Sequence, residues 1–362
     1  MNEHDLNVTF TRPLLSWFDM HGRKNLPWQH PRSAYRVWIA EIMLQQTQVQ
    51  TVIPYFERFI ASFPDIKRLK DASEDAVLAH WSGLGYYSRA RNIHKAAKII
   101  WDTTEGQFPE DLTQLMSLPG IGATTAAAIA SQAFNQPTPI LDGNVIRVLS
   151  RYFMVDGWHM QSQVKKQLWQ LADQCMSRER CTDYTQAIMD LGATCCTRTK
   201  PDCLHCPLQK GCQAKLNDKI ALYPFKKIKK TLPVKQEKFL LLHTANNEIY
   251  LEKNPPTGLW GGLWCMPVTT PDVDPVDFIN NKYGLTCLNA IKLPEIKHSF
   301  SHFHLHILAF ALQVQFQQNV VREHSGQWFK AVDFNTIGLA RPVSKIINHF
   351  LVNNVSSVTA GS

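Results

Sequence analysis

Four cysteines crowded into one stretch constrain this chain more than any other feature. Cys196, Cys203, Cys206 and Cys212 have six, two and five residues between them, on a loop punctuated by Pro201, Pro207 and Gly211. The nine cysteines are an odd number, and 362 residues are enough to bury cores without covalent staples. The group therefore argues for metal ligation over a disulfide framework. On chemistry alone, four thiolates suit a tetrahedral zinc ion or an iron-sulfur cluster, and unrelated cysteines are the third alternative. Cys195, beside Cys196, reads as a packed neighbour rather than a fifth ligand.

Two domains are expected at this length. From Val37 to about Arg198 the pattern is helical: Val37, Glu41, Leu44 and Gln48 share one face, and Val77, Leu78 and Trp81 precede a Gly-Leu-Gly turn. Residues 1–216 are predicted to form an all-α domain closed by the cysteine loop (196–212). Residues 217–238 hold Lys226, Lys227, Lys229, Lys230, Lys235 and Lys238, interrupted by Pro224 and Pro233, and read as a basic linker. Runs of strand length at 239–242, 248–251 and 306–316, separated by turns such as Pro255-Pro256 and Gly261-Gly262, predict a mixed α/β domain over 239–351. Residues 352–362 lack periodicity and are expected to form a flexible tail. The fold class is thus α+β, multidomain. No internal repeat is found.

The 38 Lys and Arg against 30 Asp and Glu give +8, an excess that favours a polyanion such as nucleic acid. Residues 1–10 are polar and carry two acids, and no apolar run has the length of a membrane span. Neither a signal peptide nor a transmembrane helix is expected, and the protein is predicted to be soluble and cytoplasmic.

Leu118-Pro119-Gly120-Ile121-Gly122 lies between a short helix (110–117) and an Ala-rich one (124–134). Gly120 and Gly122 let the backbone turn tightly and bring bare N–H groups to a helix start, where a phosphate oxygen is welcome; an ordinary αα-hairpin is the alternative. Asp142 follows the extended Pro139-Ile140-Leu141 and precedes the helix 145–153, so it reads as a helix N-cap or as a working carboxylate. Glu41 sits in Trp38-Ile39-Ala40-Glu41-Ile42-Met43-Leu44, where a charge is out of place unless it is salt-bridged or has a task. Apolar surroundings should raise the Glu41 pKa, while a helix N-terminus should keep Asp142 ionised. Such a split suits N-glycoside hydrolysis, which needs a proton for the leaving base and a negative charge facing the sugar cation.

Taken together, Leu26-Pro27-Trp28, the Glu41 helix through Gln45-Gln46-Thr47, Gly83-Leu84-Gly85-Tyr86-Tyr87-Ser88-Arg89, the glycine hairpin, Asp142 and the six-two-five cysteine loop resemble the endonuclease III and MutY family, and within it the adenine DNA glycosylases. The resemblance implies a [4Fe-4S] cluster on Cys196, Cys203, Cys206 and Cys212, with a structural role. It implies that Glu41 protonates adenine and then serves the water, that Asp142 stabilises the oxocarbenium-like species or a transient covalent adduct, and that Asn144 supports them. Gln46 and Tyr86 match residues that wedge into the base stack while the base is flipped. Trp28, Leu44 and Gln186 match residues around the extruded adenine; for Trp28, Leu44 and Tyr86, ordinary core packing is the alternative. Thr124 stands where bifunctional relatives carry a Schiff-base lysine, and Ile146 where some relatives carry another. A monofunctional glycosylase without strand cleavage is expected.

Gly258-Leu259-Trp260-Gly261-Gly262-Leu263-Trp264, Met266-Pro267 and Tyr283-Gly284-Leu285 resemble a Nudix fold, but the Arg-Glu and Glu-Glu elements that would hold Mg²⁺ are missing, so pyrophosphohydrolysis is not expected. The resemblance instead implies a domain that inspects the base opposite adenine, with Phe300, Ser301 and His302 as its reading element. A single strand through this region would align His298, His302, His304 and His306 on one face, which leaves a metal site as the alternative to base contact. The partner implied is double-stranded DNA with A:8-oxoguanine or A:G mispairs, the protein acting as a monomer away from membranes. The competing functions are a bifunctional pyrimidine glycosylase, a Nudix hydrolase and a DNA-binding scaffold; Thr124, the broken metal motif, and the pair Glu41 and Asp142 speak against them in turn.

Overall fold

The computed structural model describes residues 3–226, 231–316 and 326–358. Residues 227–230 of the expected linker, with Lys227, Lys229 and Lys230, and residues 359–362 of the expected tail lie outside the described residues. The chain divides into two compact units: Met1–Asp71 with Asn92–Lys229, and Ala72–Arg91 with Lys230–Ser362.

The first unit is helical. Along the chain run α1 (Glu3–Leu6), α2 (Arg12–His21), α3 (Ala34–Leu44), α4 (Val49–Ser62) and α5 (Ile66–Asp71). After α6 (Glu74–His80), which belongs to the second unit, come α7 (Ser88–Thr104), counted here from Asn92, α8 (Leu112–Ser117), α9 (Ala123–Phe134) and α10 (Gly143–Phe153). Then follow α11 (Ser162–Gln174), α12 (Cys181–Asp190) and the short α13 (Gln213–Leu216). Helix α3 is apolar nearly all round, burying Val37, Trp38, Ile39, Ala40, Ile42 and Met43, as a helix at the centre of a bundle must. It packs on α9, whose small residues Ala126, Ala127, Ala128 and Ala130 are buried and permit close approach. Gln48 lies beyond the end of α3, so the face predicted to run from Val37 through Gln48 stops at Leu44. A second cluster joins α2, α10, α11 and α12 through Phe10, Leu14, Phe18, Leu149, Tyr152, Leu168 and Tyr184, and the cysteine loop packs on it.

The second unit is built on one mixed sheet. Its strands are β1 (Val234–His243), β2 (Ile249–Lys253), β3 (Trp264–Cys265), β4 (Val268–Thr269), β5 (Leu285–Lys292), β6 (Ile296–Ser299), β7 (His304–Phe316) and β8 (Gly326–Phe329). The order β3-β2-β1-β7-β5 has β1 and β7 parallel at its centre; β4 pairs β1, β6 pairs β7 and β8 pairs β2. Leu240 and Leu242 of β1 share a core with Ile279 and Tyr283 of α14 (Pro275–Tyr283), while the alternating Phe239 and Leu241 are equally buried, as a sheet covered on both faces requires. Helix α15 (Arg341–Val358) closes the chain.

Three boundaries differ from the sequence reading. Val234, Lys235, Gln236, Glu237 and Lys238, expected in the linker, begin β1 and pair with residues 304–308 of β7. Residues 352–358, expected in the tail, continue α15. Residues 72–91 group with the sheet, tied to it by Lys253 Nζ on Asp75 at 2.7 Å, by Arg91 Nη1 donating to the Gly261 carbonyl, and by Ser82 and Tyr87 hydroxyls on the Leu339 carbonyl, each 3.4 Å. Among the described residues no helix is long and apolar enough to cross a membrane.

Candidate active site

A cavity of about 790 Å³ in the first unit gathers Trp28, Glu41, Leu44, Gln46, Asp142, Asn144 and Gln186. Glu41 reaches it from the apolar α3, partly buried, and its Oε1 accepts a side-chain hydrogen bond from Gln132 Nε2 of α9 at 3.1 Å. Burial, reinforced by the negative charge of Asp142 and only partly offset by Gln132, raises the Glu41 pKa from the ordinary 4.5 to about 7.

Asp142 is the N-cap of α10. Its Oδ1 accepts the backbone N–H of Asn144 at 2.9 Å and of Val145 at 2.7 Å, and Oδ2 accepts Asn144 Nδ2 at 3.0 Å. The two sequence readings of this residue, cap and site carboxylate, thus coincide in geometry. Burial raises its pKa, against the pull of those three donors and of Arg147. Asn144 is held in turn, its Oδ1 accepting Arg147 Nη2 at 2.8 Å. Behind it the chain must be bare, because a Cβ on Gly192 would fall 2.6 Å from the Asn144 Cβ and 3.0 Å from its backbone.

Trp28 is 2% exposed and meets Phe56 edge-on at 5.5 Å, so it combines core packing with a place on the cavity wall. Gln46 is exposed just past α3 with φ of 59°, a left-handed conformation uncommon outside glycine, which turns it out of the helix line. Gln186 is oriented by Asp190 one turn on, its Nε2 donating to Oδ1 at 2.8 Å; Asp190, 1% exposed, is neutralised by Arg23 at 2.6 Å. Gln132, Arg147, Asp190 and Arg23 were not singled out in the sequence. Gln132 carries the signal that flagged Glu41, a polar residue in an apolar helix, and Asp190 stands four residues after Gln186 on the same helix. Among the described residues the cavity lining contains arginines but no lysine, and Thr124 is on it.

Gly120 has φ of 81°, and Gly122 caps α9 with open space around it, so the hairpin exposes the first amides of that helix.

Tyr86 and the Phe300, Ser301, His302 element are in the second unit, where they line a cavity of about 410 Å³ with Trp260 and Arg341. Tyr86 is 52% exposed, which answers the core-packing alternative for this residue. The single histidine-bearing strand is not observed. The chain folds back between β6 and β7, the Phe300 N–H donating to the Phe303 carbonyl at 2.9 Å, so that His298 faces Leu305 and His306 faces Lys297. Among the described residues no three His, Cys, Asp or Glu side chains are grouped closely enough to hold a single metal ion.

Cys196, Cys203, Cys206 and Cys212 line one small cavity, with Pro201 and Ile220 in its wall. Arg151 Nη1 lies 3.3 Å from Cys196 Sγ, and the Arg151 carbonyl accepts from Cys212 Sγ at 3.6 Å. Burial pushes Cys196 and Cys203 up and Cys212 to about 11, with Arg151 opposing it at Cys196 and Cys203. Cys195 is buried, donates to the Asp202 carbonyl at 3.3 Å and shares a side-chain hydrogen bond with Cys206.

Residues 39–174 match the HhH-GPD superfamily of base excision DNA repair proteins, and residues 238–349 match the NUDIX domain. The chain is 41% identical over 347 residues to the adenine DNA glycosylase of Buchnera aphidicola subsp. Acyrthosiphon pisum, covering 95% of this chain and 98% of the relative. It is 38% identical over 343 residues to that of Buchnera aphidicola subsp. Schizaphis graminum, covering 94% and 98%. Among solved structures, a non-covalent endonuclease III–DNA complex superposes with a TM-score of 0.52 at 21% identity, over 60% of this chain and 98% of that one, a likeness of fold.

Proposed function

The chain belongs to the adenine DNA glycosylases of base excision repair, and from that premise we propose that Glu41 and Asp142 divide the cleavage of the adenine glycosidic bond between them. The observation that carries this reading is the unequal setting of two carboxyls on one cavity wall. Three N–H donors converge on Asp142 and one on Glu41, and the Asp142 charge helps to raise Glu41. Asp142 therefore ionises first, and Glu41 keeps its proton up to about pH 7. With adenine flipped into the cavity, Glu41 gives its proton to the leaving base, and Asp142 meets the positive charge that grows on the sugar. Asn144, clamped by Arg147, keeps the Asp142 carboxylate aimed. Glu41, now ionised, takes a proton from the attacking water, which restores it for the next turnover.

Trp28, Leu44 and Gln186 are proposed to enclose the extruded base, and Gln46 and Tyr86 to fill the gap it leaves. The amides beyond Gly120 and Gly122 hold backbone phosphate. Ser301 and His302 read the opposite base: 8-oxoguanine gains a carbonyl at C8 and turns N7 from acceptor to donor, which a hydroxyl and an imidazole can tell from guanine. With Thr124 on the cavity and no lysine in its described lining, Schiff-base chemistry has no amine there, which supports a monofunctional enzyme. The proposed partners are A:8-oxoguanine and A:G duplexes, bound by the protein as a monomer.

The four-cysteine cavity suits a [4Fe-4S] cluster. All four thiols line it, and the Arg151 guanidinium, 3.3 Å from Cys196 Sγ, would offset the charge of thiolates holding the cluster. Bound, the cluster would supply rigidity, since glycoside hydrolysis moves no electrons.

One preparation tests the proposal. Anaerobically purified protein should contain iron and sulfide, release adenine from A:8-oxoguanine and A:G duplexes but no thymine glycol, and leave the abasic strand intact until alkali is added. Strand scission in step with base release, or zinc in place of iron, would contradict it.

A further inference from the structure

We infer that Trp260 is a positioning residue for recognition of the base opposite adenine; the inference rests on the assignment of that recognition to Ser301 and His302. Trp260 sits between Gly258 and Gly262 in a loop where all three residues have positive φ, 91°, 49° and 76°. Glycine adopts that conformation freely, whereas a tryptophan there is strained and persists only where its surroundings hold it. They do hold it: a Cβ on the neighbouring Gly261 would fall 2.5 Å from the Pro256 carbonyl, and the Gly261 carbonyl accepts from Arg91.

The indole ring touches both the sheet and the reading turn. On one side it meets Phe239, a buried β1 residue, edge-on at 6.0 Å. On the other it lies 5.3 Å from Phe300 and 5.6 Å from His298. Phe300 in turn stacks on the buried Phe303 at 4.7 Å. A row of rings thus runs from the sheet core to the β6–β7 turn and grips both its ends, leaving the two residues between them, Ser301 and His302, exposed on the cavity that Trp260 also lines. A base edge is read by hydrogen bonds that fail when a donor is displaced by a fraction of an ångström. A short turn with an exposed tip does not supply that precision without support, and the rings of Trp260 and Phe303 against Phe300 supply it.

The test compares Trp260→Ala, Trp260→Leu and Trp260→Phe with the double variant Ser301→Ala, His302→Ala. For each, the ratio of single-turnover rates on A:8-oxoguanine and A:G duplexes is measured at one salt concentration under subsaturating enzyme. The expected result is a loss of preference on the order of tenfold in Trp260→Ala and Trp260→Leu, matching the double variant, with most of it kept in Trp260→Phe. The A:G rate of each variant should fall less than its A:8-oxoguanine rate, since uniform damage would lower both rates alike. If the double variant loses preference while Trp260→Ala and Trp260→Leu keep it, Trp260 only packs the second unit and the inference fails alone. If Trp260→Phe loses as much as Trp260→Ala, a flat ring is not what sets the turn, and it fails as well. If the double variant keeps its preference, the recognition assignment fails and the inference falls with it.

Discussion

On helix α3 a carboxyl between Ala40 and Ile42 costs the fold free energy whenever it is charged, and Glu41 is placed there nonetheless. With its pKa raised from 4.5 to about 7, the native state holds the proton more tightly than the unfolded chain across that window. Stability therefore falls as pH rises from 4.5 to 7, and the deficit is complete above about 7, with an upper bound of ~3 kcal/mol. Glu41→Gln removes the titration while its amide oxygen can still accept from Gln132. The variant should gain stability over wild type as pH rises through this window, and the gain should level off above it; urea melts at pH 5, 6, 7 and 8 measure it. A constant difference at every pH would mean that Glu41 titrates normally. Glu41 was legible from its own neighbours in the chain. Gln132 was not, because its meaning comes from the packing of α9 on α3 across 91 residues of sequence.

At the scale of the element, α10 combines a helix start with part of a site. Asp142→Ala removes the cap and the carboxylate together, and should lower stability by about 1 kcal/mol as well as stop base release. Asp142→Asn keeps an oxygen for the Asn144 and Val145 amides, and should stay near wild-type stability while remaining inactive. Thermal melts of the two variants separate the functions; equal destabilisation would mean that the charge itself, not the cap geometry, stabilises α10. The extended segment before Asp142 and the helix after it announced the cap. A helix N-terminus at Asp142 is visible in the sequence, and the burial that raises its pKa against that end is not. The single strand that the histidine spacing would allow is likewise broken by something the sequence does not display: alternation survives a turn, and the chain folds back where Phe300 stacks on Phe303.

For the molecule as a whole, the helical first half and the strand-rich second half were legible from periodicity, and the cysteine loop from its spacing. The assignment of residues 72–91 to the sheet-bearing unit was not, since it depends on pairs such as Asp75 with Lys253, 178 residues apart. Such contacts leave no local trace. The functional account rests on a division of labour between two carboxyls that catalysis needs and DNA binding does not. The most direct measurement is single-turnover adenine release from an A:8-oxoguanine duplex by Glu41→Gln and Asp142→Asn, with duplex affinity determined in parallel at one salt concentration. The account predicts rates lower by roughly 10²-fold or more with affinity within a few-fold of wild type, because phosphate contacts are untouched. A near-native rate from either variant would remove that residue from the chemistry and contradict the account.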